Sequence, residues 1–262
     1  MKFLEVLIKI LDIKMREPEL YGWFHIVCLV AMIGATIILC KWGKDYSREK
    51  VIKIVFRTAI VVTIFEIYKQ VNYTFTIQEG KIVADYLWYA FPWQFCSMPM
   101  YVGVLCGIIR KGKIHDSLCA FLTTYSTFAG LAVMLYPDSV FTEVIGINIQ
   151  TMVCHGSMVV IGIYLLYIGY VKIELQTLVR ALPVFISGVC LAVLMNEIAY
   201  RVGLLETDNF NMFMINPYLE STLPVYSTVQ QIVPFPWCLI AYVGGFTLAA
   251  GVVLGVVKLM KR

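Results

Sequence analysis

Cysteine and histidine offer this sequence its most reactive side chains, and two of them lie in unusual company. Residues 88–107 read WYAFPWQFCSMPMYVGVLCG, apolar enough for a bilayer, yet Gln94, Cys96 and Ser97 stand between Pro92 and Pro99. A second block, MVCHG at 152–156, sets His155 in another apolar run. A thiol attacks an acyl carbon as thiolate, and its free pKa of about 8.5 calls for a base or a shifted pKa. His155 is the candidate base for Cys96, with Glu66 or Glu197 the candidate to orient the imidazole. Cys154 adjoins His155 but points about 100° away around a helix, which favours Cys96 as nucleophile. Proline removes a backbone hydrogen bond and opens a helix. The freed carbonyls are tolerated in a bilayer only beside protein or water-lined space, so a cavity beside Cys96 is expected.

The elements that must position these residues follow from composition. Of 262 residues, 60% are hydrophobic and 15% charged, and mean hydropathy is +0.79. Both percentages depart from soluble domains, with about half apolar and about a quarter charged residues. Apolar runs of about 20 residues span a bilayer core, and the runs here are continuous rather than the short alternating strands of a closed barrel. The expected fold is all-α, a polytopic membrane helical bundle in one domain, 1–262. Spans are expected near 21–41, 51–70, 85–109, 114–136, 149–170, 178–200 and 234–257. Residues 3–15 put Phe3, Leu4, Leu7, Ile10 and Leu11 on one face, the pattern of an interfacial helix within 1–18. The charges throughout that segment and its lack of a small-residue cleavage site argue against a signal peptide. Residues 201–233 form a long loop, rich in Phe, Met, Tyr, Asn and Pro, of the length that is usually functional.

Lysine and arginine orient the bundle. Lys41, Lys44, Arg48, Lys50 and Lys53 follow the first span; Arg110, Lys111 and Lys113 the third; Lys172 and Arg180 the fifth; Lys258, Lys261 and Arg262 the last. The opposite loops hold only Lys69, Lys81 and Arg201. Cytoplasmic loops carry the excess, which places the C-terminus in the cytoplasm, the N-terminus and the 201–233 loop outside, and the protein in the cell membrane. Lys2, Lys9, Lys14 and Arg16 run against this bias. The net charge of +4 belongs to this asymmetry and gives no reason to expect nucleic acid as a partner. Eight cysteines without a CxxC pair support neither a metal site nor a disulfide framework; most read as small apolar filler.

On that frame the polar residues share a depth. At about 1.5 Å per residue, Glu66 lies roughly 6 Å below the outer end of its span and His155 roughly 9 Å. Gln94 and Cys96 lie roughly 12–17 Å deep on the same basis. Asn196 and Glu197 stand near the outer end of the sixth span. Each has a structural reading when taken singly: His155 as an interhelical hydrogen-bond partner, Cys96 as filler, Glu197 paired with Arg201, Glu66 with Lys69. Four helices carrying polar groups at one level instead point to a polar cavity, since such groups in hydrocarbon mark function by default.

FPWQFCSMPMYVG resembles the proline–apolar–polar–apolar–cysteine segment of the YwaF-like integral membrane proteins, a group related to animal transmembrane phospholipid acyltransferases. MVCHG resembles that family's histidine–glycine segment, NFNMFMINP its asparagine-rich loop, and PFPWCLI its Pro-x-Pro-Trp lead into the last helix. The resemblance runs from about residue 20 to the end. It implies acyl transfer between phospholipids and lysophospholipids, with an acyl thioester on Cys96 and His155 as its partner. Asn196 and Asn211 would line the site, the acyl chains would enter from lipid, and no cofactor would be needed. The sequence departs from leucine-rich versions of the motif by carrying Phe91, Trp93 and Phe95. Two other readings use the same residues: a solute or proton-coupled transporter, for which inverted repeats would be expected and none is visible, and a receptor-like or structural bundle.

Overall fold

The computed structural model describes residues 2–137, 140–206 and 209–260; Lys261 and Arg262 of the basic C-terminus lie outside them. The chain is helical because apolar segments in hydrocarbon must satisfy every backbone N–H and C=O internally. A short helix α1 (Lys2–Leu11) leads to α2 (Trp23–Gly43) and α3 (Arg48–Asn72). A hairpin follows, β1 (Phe75–Gln78) against β2 (Lys81–Ala84), in antiparallel register Phe75↔Ala84 and Gln78↔Lys81. Its two turn residues, Glu79 and Gly80, have φ of 50° and 74°, the positive values that a tight two-residue hairpin requires.

The expected span at 85–109 resolves differently. Two 3-10 turns, Trp88–Ala90 and Phe95–Ser97, precede an 11-residue helix α4 (Met98–Ile108) with proline in its first turn. Pro99, in the first turn, fits because its missing N–H would have no intrahelical partner there anyway; Pro92 cannot continue a helix through the segment before it. Helical rise therefore does not measure the depth of Gln94 and Cys96. α5 (Lys113–Phe121) and α6 (Thr127–Leu135) join through a π-helical stretch, Leu122–Ser126, into one rod. Then come α7 (Ile145–Tyr167), α8 (Leu175–Arg201), the small α9 (Tyr226–Ile232) and α10 (Cys238–Met260).

Among the described residues, five helices are long and apolar enough to cross a membrane: Trp23–Gly43, Lys113–Leu135, Ile145–Tyr167, Leu175–Arg201 and Cys238–Leu259. α3 has the length, at 25 residues, but carries Arg57, Glu66 and Lys69 within its apolar run. α4 is apolar and short. These two are the elements that bear the polar residues or adjoin them. α7 is the axis of the bundle, packed by α2, α3 and α6, whereas α2 and α10 turn most of their surface away from protein.

Close packing at α3 and α4 depends on small residues. A Cβ on Gly103 would fall 2.7 Å from the Ala59 Cβ, and one on Gly107 2.2 Å from Phe56 Cδ2. At the other end of α3, Tyr68 Oη and Asn72 Nδ2 both donate to the Leu11 carbonyl, at 2.6 and 3.1 Å. Met15 N donates to Glu143 O at 2.7 Å. The N-terminal segment is thus tied to the hairpin end of the bundle, while Phe3, Leu4, Leu7 and Ile10 remain uncovered by protein, as an interfacial helix would leave them.

Candidate functional site

Glu66 is the centre of a buried polar layer. It is 6% exposed, and a carboxylate so placed needs partners. Its Oε1 accepts from Lys69 Nζ and Gln70 Nε2, both at 2.7 Å, and its Oε2 from Gln150 Nε2 at 3.2 Å. Gln70 Nε2 also donates to the Ala90 carbonyl at 2.9 Å, and the Tyr86 hydroxyl donates to Gln70 Oε1. One acidic residue therefore binds α3 to α7 and, through Gln70, to the non-helical segment that carries Cys96.

Cys96 sits in the 3-10 turn Phe95–Ser97, half-buried, with Ser97 fully inside. Cys154 Sγ, one turn after Gln150 on α7, lies 3.7 Å from the Cys96 carbonyl. His155 is the next residue around α7 and is 5% exposed. Its Nδ1 lies 2.7 Å from the Thr151 carbonyl one turn back. A carbonyl only accepts, so the proton is on Nδ1 and the lone pair on Nε2, which has no hydrogen-bond partner among the described residues. That is a base-competent tautomer.

The structure brings Glu66, Cys96, Cys154 and His155 into one neighbourhood, but the Cys96 thiol and His155 share no hydrogen bond among the described residues. Neither Glu66 nor Glu197 holds the imidazole; the Thr151 carbonyl does. Glu197 stands apart on the surface, bonded to Arg201 Nε at 2.6 Å and to the Tyr218 hydroxyl at 2.8 Å. The bond to this carboxylate pushes the Tyr218 hydroxyl above the ordinary tyrosine range, so the phenol keeps its proton and donates.

Gln94, Asn196 and Asn211 fasten the 209–216 loop. Asn196 Nδ2 donates to Met212 O at 3.1 Å and its Oδ1 accepts from Met212 N at 2.8 Å. Gln94 Nε2 donates to Asn211 O at 3.1 Å, and its Oε1 accepts from Phe213 N at 3.1 Å. Asn211 Oδ1 accepts from Asn216 N at 2.9 Å. These side chains are positioned by and for the loop. Phe213 itself is 1% exposed with φ of 59°. Its ring meets Phe95 at 5.6 Å between centroids, and its carbonyl accepts from Tyr242 Oη at 3.0 Å.

Below Cys154, towards the basic end of α3, lies a cavity of about 30 Å³. Val55, Ala59, Val62, Gly103, Leu122 and Ile161 supply apolar walls, and Cys154, Ser157 and Ser126 the polar ones. Ser126 Oγ, within the π-helical stretch, is a buried side-chain oxygen without a hydrogen-bond partner. A cavity of this size admits a water. Cys154 lines it and Cys96 does not.

Sequence reasoning passed over Lys69, Gln70 and Gln150 as members of this layer. Their spacing held the signal: Gln70 lies one turn after Glu66, and Cys154 one turn after Gln150, so each pair shares a helix face. A second group was missed outright. Cys106, His115 and Cys119 gather at the other end of α4, all buried.

The TMEM164 family model matches residues 20–256, and the chain belongs to that family of transmembrane proteins. No curated protein and no solved structure matches it. The protein is accordingly a multi-pass integral membrane protein with an all-helical bundle and buried cysteine–histidine groupings.

Proposed function

Starting from membership of that transmembrane family, we propose that this protein transfers fatty acyl chains between phospholipids and lysophospholipids through an acyl-cysteine. The observation that carries the reading is the buried layer in which the Glu66–Lys69 pair, the Cys154 thiol at the Cys96 carbonyl and a histidine with a free Nε2 gather on α3, α7 and the segment before α4. A merely structural layer would have no use for an unengaged imidazole nitrogen inside a membrane protein.

In the proposed cycle, His155 Nε2 takes the Cys96 proton and the thiolate attacks a phospholipid ester carbonyl. The ester C–O bond breaks, the thioester C–S bond forms, and the leaving lysophospholipid oxygen receives the proton back. A second lysophospholipid then gives its hydroxyl proton to Nε2 and attacks the thioester, which restores the thiol. No external cofactor enters this balance. The distance between the Cys96 sulfur and the imidazole is closed by substrate binding, since catalytic hydrogen bonds in unliganded sites are often long. The acyl chain would remain in the surrounding lipid, and Lys69 would face the lipid's ester and phosphate oxygens.

One observation favours a variant of this reading: Cys154, not Cys96, lines the cavity. Mass spectrometry of protein purified from lipid decides between them. Acyl on Cys96 is expected; acyl on Cys154 reassigns the nucleophile, and acyl on neither after incubation with phospholipid removes the covalent mechanism.

A further inference from the structure

At the end of α4 remote from Cys96, two cysteines that read as filler and a histidine the motifs did not include converge. Cys106 Sγ lies 3.8 Å from Cys119 Sγ, and Cys119 Sγ 3.3 Å from His115 Nε2. All three donor atoms lie within 4.8 Å of one another. Exposure is 1% for Cys106, 1% for His115 and 2% for Cys119. His115 and Cys119 occupy one face of α5 at i and i+4, and Cys106 reaches them across the turn at 109–112. The spacing, Cys-x8-His-x3-Cys, contains no CxxC and assembles only when α4 folds back on α5.

The tautomer of His115 is fixed in the form a metal ligand needs. Nδ1 lies 2.6 Å from the Ile109 carbonyl, which only accepts, so Nδ1 bears the proton and Nε2 the lone pair. A backbone carbonyl on the far nitrogen is the usual orienting partner of a ligating imidazole. The Tyr170 hydroxyl is 2.8 Å from the same Nε2, and the Arg48 guanidinium lies 4.9 Å from the Tyr170 ring centroid. Two donors, the Tyr170 O–H and the Cys119 S–H, thus compete for one lone pair.

We propose that Cys106, His115 and Cys119 bind a zinc ion. Zinc–sulfur bonds of about 2.3 Å and zinc–nitrogen bonds of about 2.0–2.1 Å in a tetrahedron set sulfur–sulfur near ~3.8 Å and sulfur–nitrogen near ~3.5 Å. The observed separations are 3.8 and 3.3 Å. Binding breaks two S–H bonds, forms two Zn–S bonds and one Zn–N bond, and releases two protons to solvent; nothing is oxidised or reduced. Two thiolates and a neutral imidazole around a divalent ion leave no net charge, which suits a buried site. Monovalent copper in the same ligands would leave a buried negative charge. A water beside the Tyr170 hydroxyl completes the tetrahedron. The ion would pin the α4–α5 turn, where Arg110, Lys111 and Lys113 cluster, at a site separate from the layer around Glu66.

The test uses the full chain purified in detergent, stripped with chelator and reloaded with zinc chloride. Elemental analysis is expected to find one zinc per chain in the wild type. Affinity should fall roughly 10-fold or more in Cys119→Ser and His115→Ala, since disturbing even an orienting partner costs 10–100-fold. Cys96→Ser should keep its zinc. Should the ligand variants fail to fold, cobalt(II) loaded into the wild type gives an independent readout, expected as thiolate charge-transfer and tetrahedral visible bands. Absence of those bands, zinc retained in full by both ligand variants, or a Cys106–Cys119 disulfide in the native protein would each overturn the assignment.

Discussion

A histidine whose Nδ1–H is committed to the carbonyl one turn back has only Nε2 left for chemistry, and this fixes what substitutions at the site should do. Cys96→Ala is expected to abolish transfer of labelled acyl chains to lysophospholipid by purified protein, with the helical circular dichroism unchanged. His155→Ala should slow thioester formation by about 10²–10⁴-fold, the range for loss of a general base. An unchanged rate there would leave the imidazole as a helix–helix strut and the mechanism without its base. Glu66→Ala should act on stability instead, because it strands the Lys69 ammonium, whose side chain is 15% exposed. Breaking a buried pair costs about 3–5 kcal/mol, seen as a lowered Tm in detergent, and Glu66→Gln, which keeps the acceptor for Gln150, should cost less. At this scale the sequence named the reactive groups, because thiols and imidazoles in apolar runs are conspicuous. It did not name their neighbours. Whether Cys154 or His155 meets the Cys96 segment depends on how α7 is rotated in the bundle, and one residue's step of about 100° changes the answer.

Elements were legible in proportion to their apolar continuity. The runs that became α2, α7, α8 and α10 have few charges, and the rod Lys113–Leu135 kept its line through a π-helical stretch. The segment before α4 was not legible as 3-10 turns, since its composition is that of a span and only the prolines argue otherwise. The hairpin at 75–84 was missed although Glu79-Gly80 is a two-residue turn between β-branched runs; four-residue strands beside long spans leave a weak periodic trace. The contact of α4 with α3 gives the sharpest prediction at this scale. Gly107→Ala drives a methyl to 2.2 Å from the Phe56 ring and should cost about 1–3 kcal/mol by overpacking. Adding Phe56→Leu should restore much of the loss, which thermal unfolding of the single and double variants checks.

For the molecule as a whole, most of the described basic residues collect at one end of the bundle, around Arg48, Arg110, Lys111 and Lys113, while the polar layer, hairpin and 209–216 loop lie at the other, with only Lys69, Lys81, Arg201 and the N-terminal Lys2, Lys9, Lys14 and Arg16. If the basic end is cytoplasmic, a membrane-impermeant thiol reagent should reach a cysteine introduced at Glu79 from outside intact cells and one at Ser47 only after permeabilisation. Labelling of both from outside would reverse or break the orientation. The distribution itself was legible from charge alone. The long loop's attachment was not, because it is made by single contacts from Gln94 and Asn196 to backbone atoms that no pattern announces.

Phe213 holds a backbone pose that L-residues reach only at a cost of roughly 1–2 kcal/mol, yet Gln94 and Tyr242 grip its N–H and C=O from two different segments. A residue kept in such a pose is a wedge under tension rather than a cover. It follows that the outer surface and the bundle's interior are not mechanically independent: pulling this one aromatic outward would slacken the chain just before Cys96, at Gln94 and Phe95, and its hold on α10 at the same moment. An antibody or a ligand that grasps Tyr218, exposed next to buried Asn216, from solution would therefore be felt deep among the helices.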